Sequence, residues 1–248
     1  MSENPTPVDP AAPPVADGAK ARRELVRALV LCAFAVIFVR SFLFELFKIP
    51  SSSMVPTLEI GDYIVVSKFN YGLVFPFTSW EFVGWSTPRR GDVIVFLYPK
   101  DESLYYIKRV VGLPGDKIEF RGKDLWINGE AVPKEPIEDE AVRAALLRES
   151  GDSGELFWEN LAGVKHPVKY SSYGSGLSEG AAQSHEVAPD HFFVMGDNRD
   201  DSYDSRSWGD VPRSNIRGKA QLVWLSLNRD ASWSGDKVRW SRAFSAIH

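Results

Sequence analysis

Three consecutive serines, Ser51-Ser52-Ser53, stand between Pro50 and Pro56, with apolar Ile49, Met54 and Leu58 around them. Prolines stiffen the chain on both sides of the run. The apolar neighbours are unlike those of a solvated linker, although a plain linker remains open on the pattern alone. A rigidly held serine hydroxyl can serve as a nucleophile, but only beside a base. Histidine is the default base. His166 and His185 lie in a polar stretch, His191 opens a strand and His248 is the last residue, so all four are expected at the surface. Gly176-Leu177-Ser178-Glu179-Gly180 spells G-x-S-x-G. A nucleophile elbow needs a strand before it and a helix after it. Residues 170–184 supply neither, and the match reads as chance.

Lysine is the alternative base. Lys108 lies in Tyr105-Tyr106-Ile107-Lys108-Arg109-Val110-Val111, a strand-like run. Alternate residues of a strand share a face, so Lys108 goes with bulky Tyr106 and Val110, and Ile107, Arg109 and Val111 point the other way. A lysine on the apolar face is desolvated, which lowers its pKa. A neutral amine can then accept a serine proton. The same pattern also allows a lysine whose head reaches solvent. A third segment, residues 196–209, crowds Asp197, Asp200, Asp201 and Asp204 with Asn198, Arg199 and Arg206. An EF-hand would need glycine at its sixth place and glutamate at its twelfth. Counted from Asp197, those places hold Ser202 and Trp208, so no calcium loop is expected. Internal ion pairs, or a solvated polar loop, are the remaining readings.

The elements that must position these groups are mostly strands. Residues 62–69, 92–98, 105–111, 117–120, 125–127, 191–195 and 222–225 are β-branched or aromatic runs. Asn128-Gly129 closes the fifth with a tight turn. Residues 138–147 have helical composition, and from there to Pro189 the chain is polar and rich in Gly and Ser. Before the serines, residues 28–47 are apolar apart from Arg40, Ser41 and Glu45. A bilayer core takes about 20 helical residues, and no small-x-small site follows, so an uncleaved anchor over residues 25–47 is expected rather than a signal peptide. Lys20, Arg22, Arg23 and Arg27 precede it, which puts the N-terminus in the cytoplasm by the positive-inside rule. Residues 1–24, proline-rich at first, are expected to be a disordered tail. Residues 71–85 are unusually aromatic and read either as a core hairpin or as a surface resting on lipid.

Composition bounds the rest. The chain has 248 residues, 44% apolar and 25% charged, with net charge −4 from 29 basic and 33 acidic residues. That is ordinary for a globular protein and excludes a collagen or a disordered chain. No basic excess points to nucleic acid. The single cysteine, Cys32, excludes an internal disulfide and a cysteine-rich metal site.

Taken together, five segments resemble bacterial type I signal peptidases (leader peptidases). They are Pro50-Ser51-Ser52-Ser53-Met54 with Pro56-Thr57-Leu58, then residues 61–66, 90–96 and 106–116, and Gly196-Asp197-Asn198-Arg199-Asp200 through Trp208-Gly209. The resemblance spans about residues 43–227. It implies a mainly β fold: one N-terminal transmembrane helix, then an antiparallel β-sheet catalytic domain over residues 48–248 with a smaller β subdomain inserted at about 121–190. It implies a membrane-anchored serine endopeptidase that removes signal peptides from exported preproteins after a small-x-small site, without cofactor or metal. Ser53 would be the nucleophile and Lys108 its general base. The Ser53 N–H and the Ser51 hydroxyl would form the oxyanion hole. Ser202 would hydrogen-bond and orient the lysine, Asp204 and Arg206 would support the site, and Gly196 would permit close backbone approach. Phe47, Ile49, Met54, Leu58, Val95, Tyr106 and Ile107 would line pockets for small side chains, with substrate added as a strand. The implied partners are signal peptides and the lipid bilayer, and the implied location is the bacterial plasma (inner) membrane with the catalytic domain outside. Two departures stand out: Ser52 occupies a place where many members have glycine, and a cysteine pair of some members is missing. The alternatives are a tethered β domain that binds a partner without catalysis, and a self-cleaving serine–lysine repressor-type protease. The second would need no anchor and usually carries a DNA-binding domain.

Overall fold

The computed structural model describes residues 18–74, 81–147, 154–172, 184–228 and 237–248. It divides into two compact units, Met1–Arg40 and Ser41–His248. In the first, helix α1 (Gly18–Phe38) leads into a wide π-helical turn, Val39–Leu43. Gly18–Leu43 is long and apolar enough to cross a membrane, with a mean hydropathy of 2.2 over its best window. The helix begins inside the stretch expected to be a disordered tail through residue 24. Ala19, Lys20, Ala21, Arg22, Arg23 and Glu24 are mostly strong helix formers, and they extend the apolar helix backward. Residues 1–17 of that tail lie outside the described residues.

The apolar run read as anchor through Phe47 is divided. Helix stops at Leu43, and Phe44–Lys48 is strand β1. Its side chains alternate between exposed and half-buried, and Glu45 pairs with Lys68 at 2.9 Å. Hydropathy alone does not separate an apolar helix end from an apolar edge strand.

The first strands after β1 are β2 (Asp62–Ser67), β3 (Gly72–Val74), β4 (Glu81–Gly84), β5 (Val93–Tyr98) and β6 (Asp101–Gly112). The middle of the chain holds β7 (Lys117–Arg121), β8 (Asp124–Ile127), β9 (Glu130–Ala131), β10 (Lys134–Pro136), α2 (Glu140–Leu147), β11 (Glu155–Leu161), β12 (Val164–Tyr170) and β13 (Ser184–Glu186). Then come β14 (His191–Met195), the single turn α3 (Ser205–Trp208), β15 (Val211–Pro212), β16 (Ile216–Ser226) and β17 (Ser245–Ala246). The main sheet runs β1-β2-β16-β5-β6-β14-β15, with β17 also on β16, and its pairings are antiparallel. Two smaller sheets, β10-β11-β12 and β13-β7-β8-β9, form the insert. The fold is therefore mainly β, with one N-terminal apolar helix, as the sequence leads one to expect. The hairpin β11–β12 is the unanticipated part. It falls in a stretch whose polar composition hides its alternation, because the polar side chains of Glu159 and His166 occupy buried places.

Strand β5 reads as an unbroken apolar run because both its faces are covered. Val93 and Val95 join Ile49, Met54, Leu58, Ile64, Val66 and Val223 on one side. Ile94 and Phe96 join Val110, Phe192, Val194, Trp208 and Val211 on the other. A third cluster, with Val111, Ile118, Leu125, Leu161 and Phe193, ties the insert to the sheet. In the aromatic segment, β3 and β4 pair as a hairpin, Tyr71 packs toward the second cluster, and Val83 and Trp85 are exposed. Residues 75–80 of that segment, and the G-x-S-x-G match, lie outside the described residues.

Because Ile94 is completely buried at the centre of the sheet, Ile94→Ala is expected to lower unfolding free energy by about 3 kcal/mol, measured by denaturant titration of detergent-solubilised protein.

Candidate active site

The serine run is held from below and from one side. Ile49, Met54 and Leu58 are buried in the core, and the backbone closes tight turns through Val55 N to Ser52 O at 2.9 Å and Leu58 N to Met54 O at 2.9 Å. Ile49 N donates to Asp62 O at 2.8 Å, tying the loop to β2. This leaves Ser51 exposed and Ser52 and Ser53 half-buried. The two prolines and the apolar anchors thus make a rigid loop, not a linker.

Lys108 approaches from β6, whose residue pairs with Ile94 of β5. Its side chain is 4% exposed. Nζ donates to Ser53 Oγ at 2.6 Å and to Ile107 O at 3.0 Å, and lies 5.7 Å from the centre of the Tyr106 ring. Burial pulls the amine down from 10.5 to about 8. Asp204 and Asp197 oppose that shift, Arg206 adds to it, and Asp201 opposes it. An amine so placed is neutral in much of the protein at slightly alkaline pH, and a neutral amine 2.6 Å from a hydroxyl can take its proton.

The loop after β14 closes the other side. Gly196 sits where a Cβ would come within 2.2 Å of Ser202 Oγ and 2.3 Å of Ser53 O. Asp204 caps α3 and accepts from Gly196 N at 3.0 Å and from Arg206 Nε at 2.8 Å. Asn198 N donates to Ser53 O, Asn198 Nδ2 donates to Ser52 O, both at 3.2 Å, and Ser52 Oγ donates to Asp201 Oδ2 at 2.5 Å. Ser51 Oγ lies 3.5 Å from Ser53 Oγ.

Most of the residues singled out in the sequence are brought together, but three expectations need correction. Ser202 is buried beside Gly196, yet its Oγ has no hydrogen-bond partner, so the expected bond to Lys108 is not formed. The carbonyl of Ile107 takes that place on the amine. Ile49, Met54, Leu58 and Val95 form one cluster with Phe47 and Ile107 packed on it, but Tyr106 lies in the other cluster, stacked 4.7 Å from Tyr98. Strand alternation dictates this: neighbours Tyr106 and Ile107 face opposite ways. His166, expected at the surface, is 1% exposed. It stands opposite Glu159 across the β11–β12 hairpin, with Nε2 3.4 Å from Glu159 Oε1.

Sequence reasoning missed a buried ionic layer beneath the site. Arg109 Nε and Nη2 grip Asp197 at 2.8 and 2.7 Å, and Arg109 Nη1 donates to Gly91 O at 2.8 Å. Thr57 Oγ1 donates to Asp197 Oδ2 at 2.5 Å. Burial works to raise the Asp197 carboxyl, but Arg109 more than offsets it and the net shift is downward. Arg109 carried a signal, since it alternates with Lys108; its partner, 88 positions away, carried none.

The family described as signal peptidase, peptidase S26, matches residues 22–225. A signal peptidase I of Pseudomonas fluorescens is 43% identical over 226 residues, covering 86% of this chain and 74% of that protein. The chain belongs to the signal peptidase family, peptidase S26. It is accordingly a peptidase, and the non-catalytic adaptor is set aside. Another relative in the family, signal peptidase I of Aquifex aeolicus, is 35% identical over 230 residues, covering 83% of this chain and 84% of that protein. A crystal structure of an Enterococcus faecalis signal peptidase I is 28% identical, covers 54% of this chain and 97% of that one, and superposes with a TM-score of 0.33.

The space at Gly196 is already filled by Ser202 and the Ser53 carbonyl. Gly196→Ala is therefore expected to keep the fold, by circular dichroism, and to reduce peptidase activity about 100-fold by displacing Ser53.

Proposed function

We propose that this peptidase removes signal peptides from exported preproteins after a small-x-small site, with Ser53 as nucleophile and Lys108 as general base. The 2.6 Å contact between Lys108 Nζ and Ser53 Oγ carries this reading. As Ser53 Oγ attacks the scissile carbonyl carbon, its proton passes to the neutral Lys108 amine. The carbonyl oxygen becomes an oxyanion beside the Ser51 hydroxyl and the Ser53 N–H. When the C–N bond breaks, the Lys108 ammonium returns the proton to the departing amine. Water then attacks the acyl-serine, losing a proton to Lys108; the acyl C–Oγ bond breaks, Lys108 returns that proton to Ser53 Oγ, and the signal peptide leaves as a carboxylate.

Specificity for small side chains would rest on an apolar floor in which Ile49, Met54, Leu58 and Val95 are buried and half-buried Phe47 and Ile107 pack against them. Tyr106 belongs to the lysine's surroundings instead. Asp204 and Arg206 keep the loop around Gly196 in shape, while Ser202 fills the space beside it. The helix Gly18–Leu43 is the anchor. Lys20, Arg22, Arg23 and Arg27, near its N-terminal end, hold the N-terminus in the cytoplasm, so residues 48–248 work on the outer side of the plasma membrane. Ser53 follows Leu43 by ten positions in the sequence, a short tether between the anchor and the nucleophile.

Ser53→Ala, which removes the nucleophile, and Lys108→Arg, whose guanidinium stays protonated at every working pH, are both expected to be inactive on a preprotein with a small-x-small site. Wild-type-like cleavage by either would overturn the assignment. Lys108→Met is expected to be inactive with a melting temperature no lower than wild type, since it removes a desolvated amine. The base must be uncharged, so kcat/KM should rise with pH and level off above about 8, the value to which burial lowers Lys108. Below that pH it should fall about tenfold per unit. A profile flat from pH 6 to 9 would remove Lys108 from the mechanism.

A further inference from the structure

The insert is not an appendage to the catalytic sheet. It meets the loop at residues 197–201 through a layer that excludes water almost completely. Arg199 Nη1 and Nη2 hold Glu159 of β11 at 2.8 and 2.5 Å, both side chains 1% exposed. Facing Glu159 across the hairpin, His166 sets Nε2 3.4 Å from Glu159 Oε1 and 3.9 Å from Asp197 Oδ1. The end of β12 adds to the loop as a short parallel bridge, Lys169 against Asn198. Lys169 N donates to Asp197 O at 2.8 Å, and Ser171 N donates to Asp200 Oδ2 at 2.9 Å. At the other end of the hairpin, Val164 fills the space at Gly91, whose carbonyl accepts from Arg109.

Followed outward, the contacts at Asp197, Asn198 and Gly91 end on atoms that hold the serine loop or its lysine strand. Asp197 accepts from Thr57, four positions after Ser53, and from Arg109, the neighbour of Lys108. Asn198 donates to the carbonyls of Ser52 and Ser53. The loop itself is three residues of 3-10 helix, too short to hold its own shape. Burial works to raise the Glu159 carboxyl, but Arg199 and then His166 outweigh it and hold the group far below the usual carboxylate range. The carboxylate is thus kept charged for the guanidinium it orients.

We propose that Glu159 and His166 of the insert hairpin are positioning residues for the peptidase reaction, acting through Arg199 and Asp197 to fix Asn198 against the Ser53 carbonyl. The insert is then a buttress of the nucleophile and not a separate binding module. This inference rests on the serine–lysine reading above. Glu159 and His166 touch neither the proposed nucleophile nor the apolar floor, so their loss affects the chemical step and leaves substrate binding alone.

The test uses the full chain in detergent with a preprotein substrate. Removing one partner of a buried pair leaves an unpaired charge, whereas replacing both with apolar groups preserves stability. The double variant E159L/R199M is therefore expected to melt like wild type, to have an unchanged KM, and to lose kcat about 30-fold. R199K keeps the charge but loses the two-pronged grip. It is expected to retain KM and lose kcat about fivefold. H166F is expected to fall between them. Wild-type kcat in the folded double variant or in R199K would overturn the proposal and leave the layer a purely architectural one. A rise in KM with kcat unchanged would overturn it too, by assigning the insert to substrate binding. If the double variant does not fold, R199K decides alone. S53A, measured beside them, reports on the nucleophile independently, so an active S53A would sink the dyad reading without being confused with a failure of the buttress.

Discussion

A hydrogen bond between one amine and one alcohol sets the terms for the rest of this fold. Lys108 and Ser53 come from segments 55 positions apart, and the bond is useful for proton transfer only while the amine can be neutral. Neutrality is obtained by burial, and burial of an amine is unfavourable. Holding it at about 8 rather than 10.5 costs the folded state about 3 kcal/mol below pH 8. The cost fades as pH rises from 8 toward 10.5, where the unfolded chain also gives up its proton. The broad sheet, covered on both faces, is the stabilising element against which this local cost is set.

What was legible in the sequence follows from how locally each feature is encoded. The strands of the main sheet announce themselves because β-branched alternation is a short-range signal, and the serine run announces itself because prolines and apolar anchors sit next to it. Lys108 could be assigned to an apolar face from Tyr106 and Val110 alone. The same periodicity correctly separated Arg109 from it. It also separates Tyr106 from Ile107, since adjacent strand residues cannot share one wall.

The features that escaped are those whose meaning depends on a distant partner. His166 looked like a surface residue because nothing within several positions gives it a buried neighbour; its neighbour Glu159 becomes one only when the hairpin closes. Asp197 and Arg199 lie in a loop whose composition leaves internal ion pairs and a solvated surface both open, and they are buried because Arg109 and Glu159 arrive from elsewhere. The end of the anchor was misjudged for a different reason. Phe44 and Leu46 remain largely exposed on an edge strand, so hydropathy continues past the point where hydrogen bonding changes from helix to sheet.

The ionic layer also explains how Lys108 can lose its charge amid so many aspartates. Asp204, Asp197 and Asp201 all favour the ammonium form, and three unneutralised carboxylates close by would hold it protonated. Two of them are already committed to guanidinium groups: Asp197 to Arg109 and Asp204 to Arg206. Arg206 opposes part of the pull of the aspartates, and desolvation remains the largest influence on the amine. Arginine suits this duty where lysine would not. Its planar fork takes a carboxylate with two bonds and stays charged in the dry interior. A lysine in the same place would itself be open to losing its proton, and the freed carboxylate would then draw one onto Lys108. The site thus sets one desolvated amine beside carboxylates that guanidinium groups already hold.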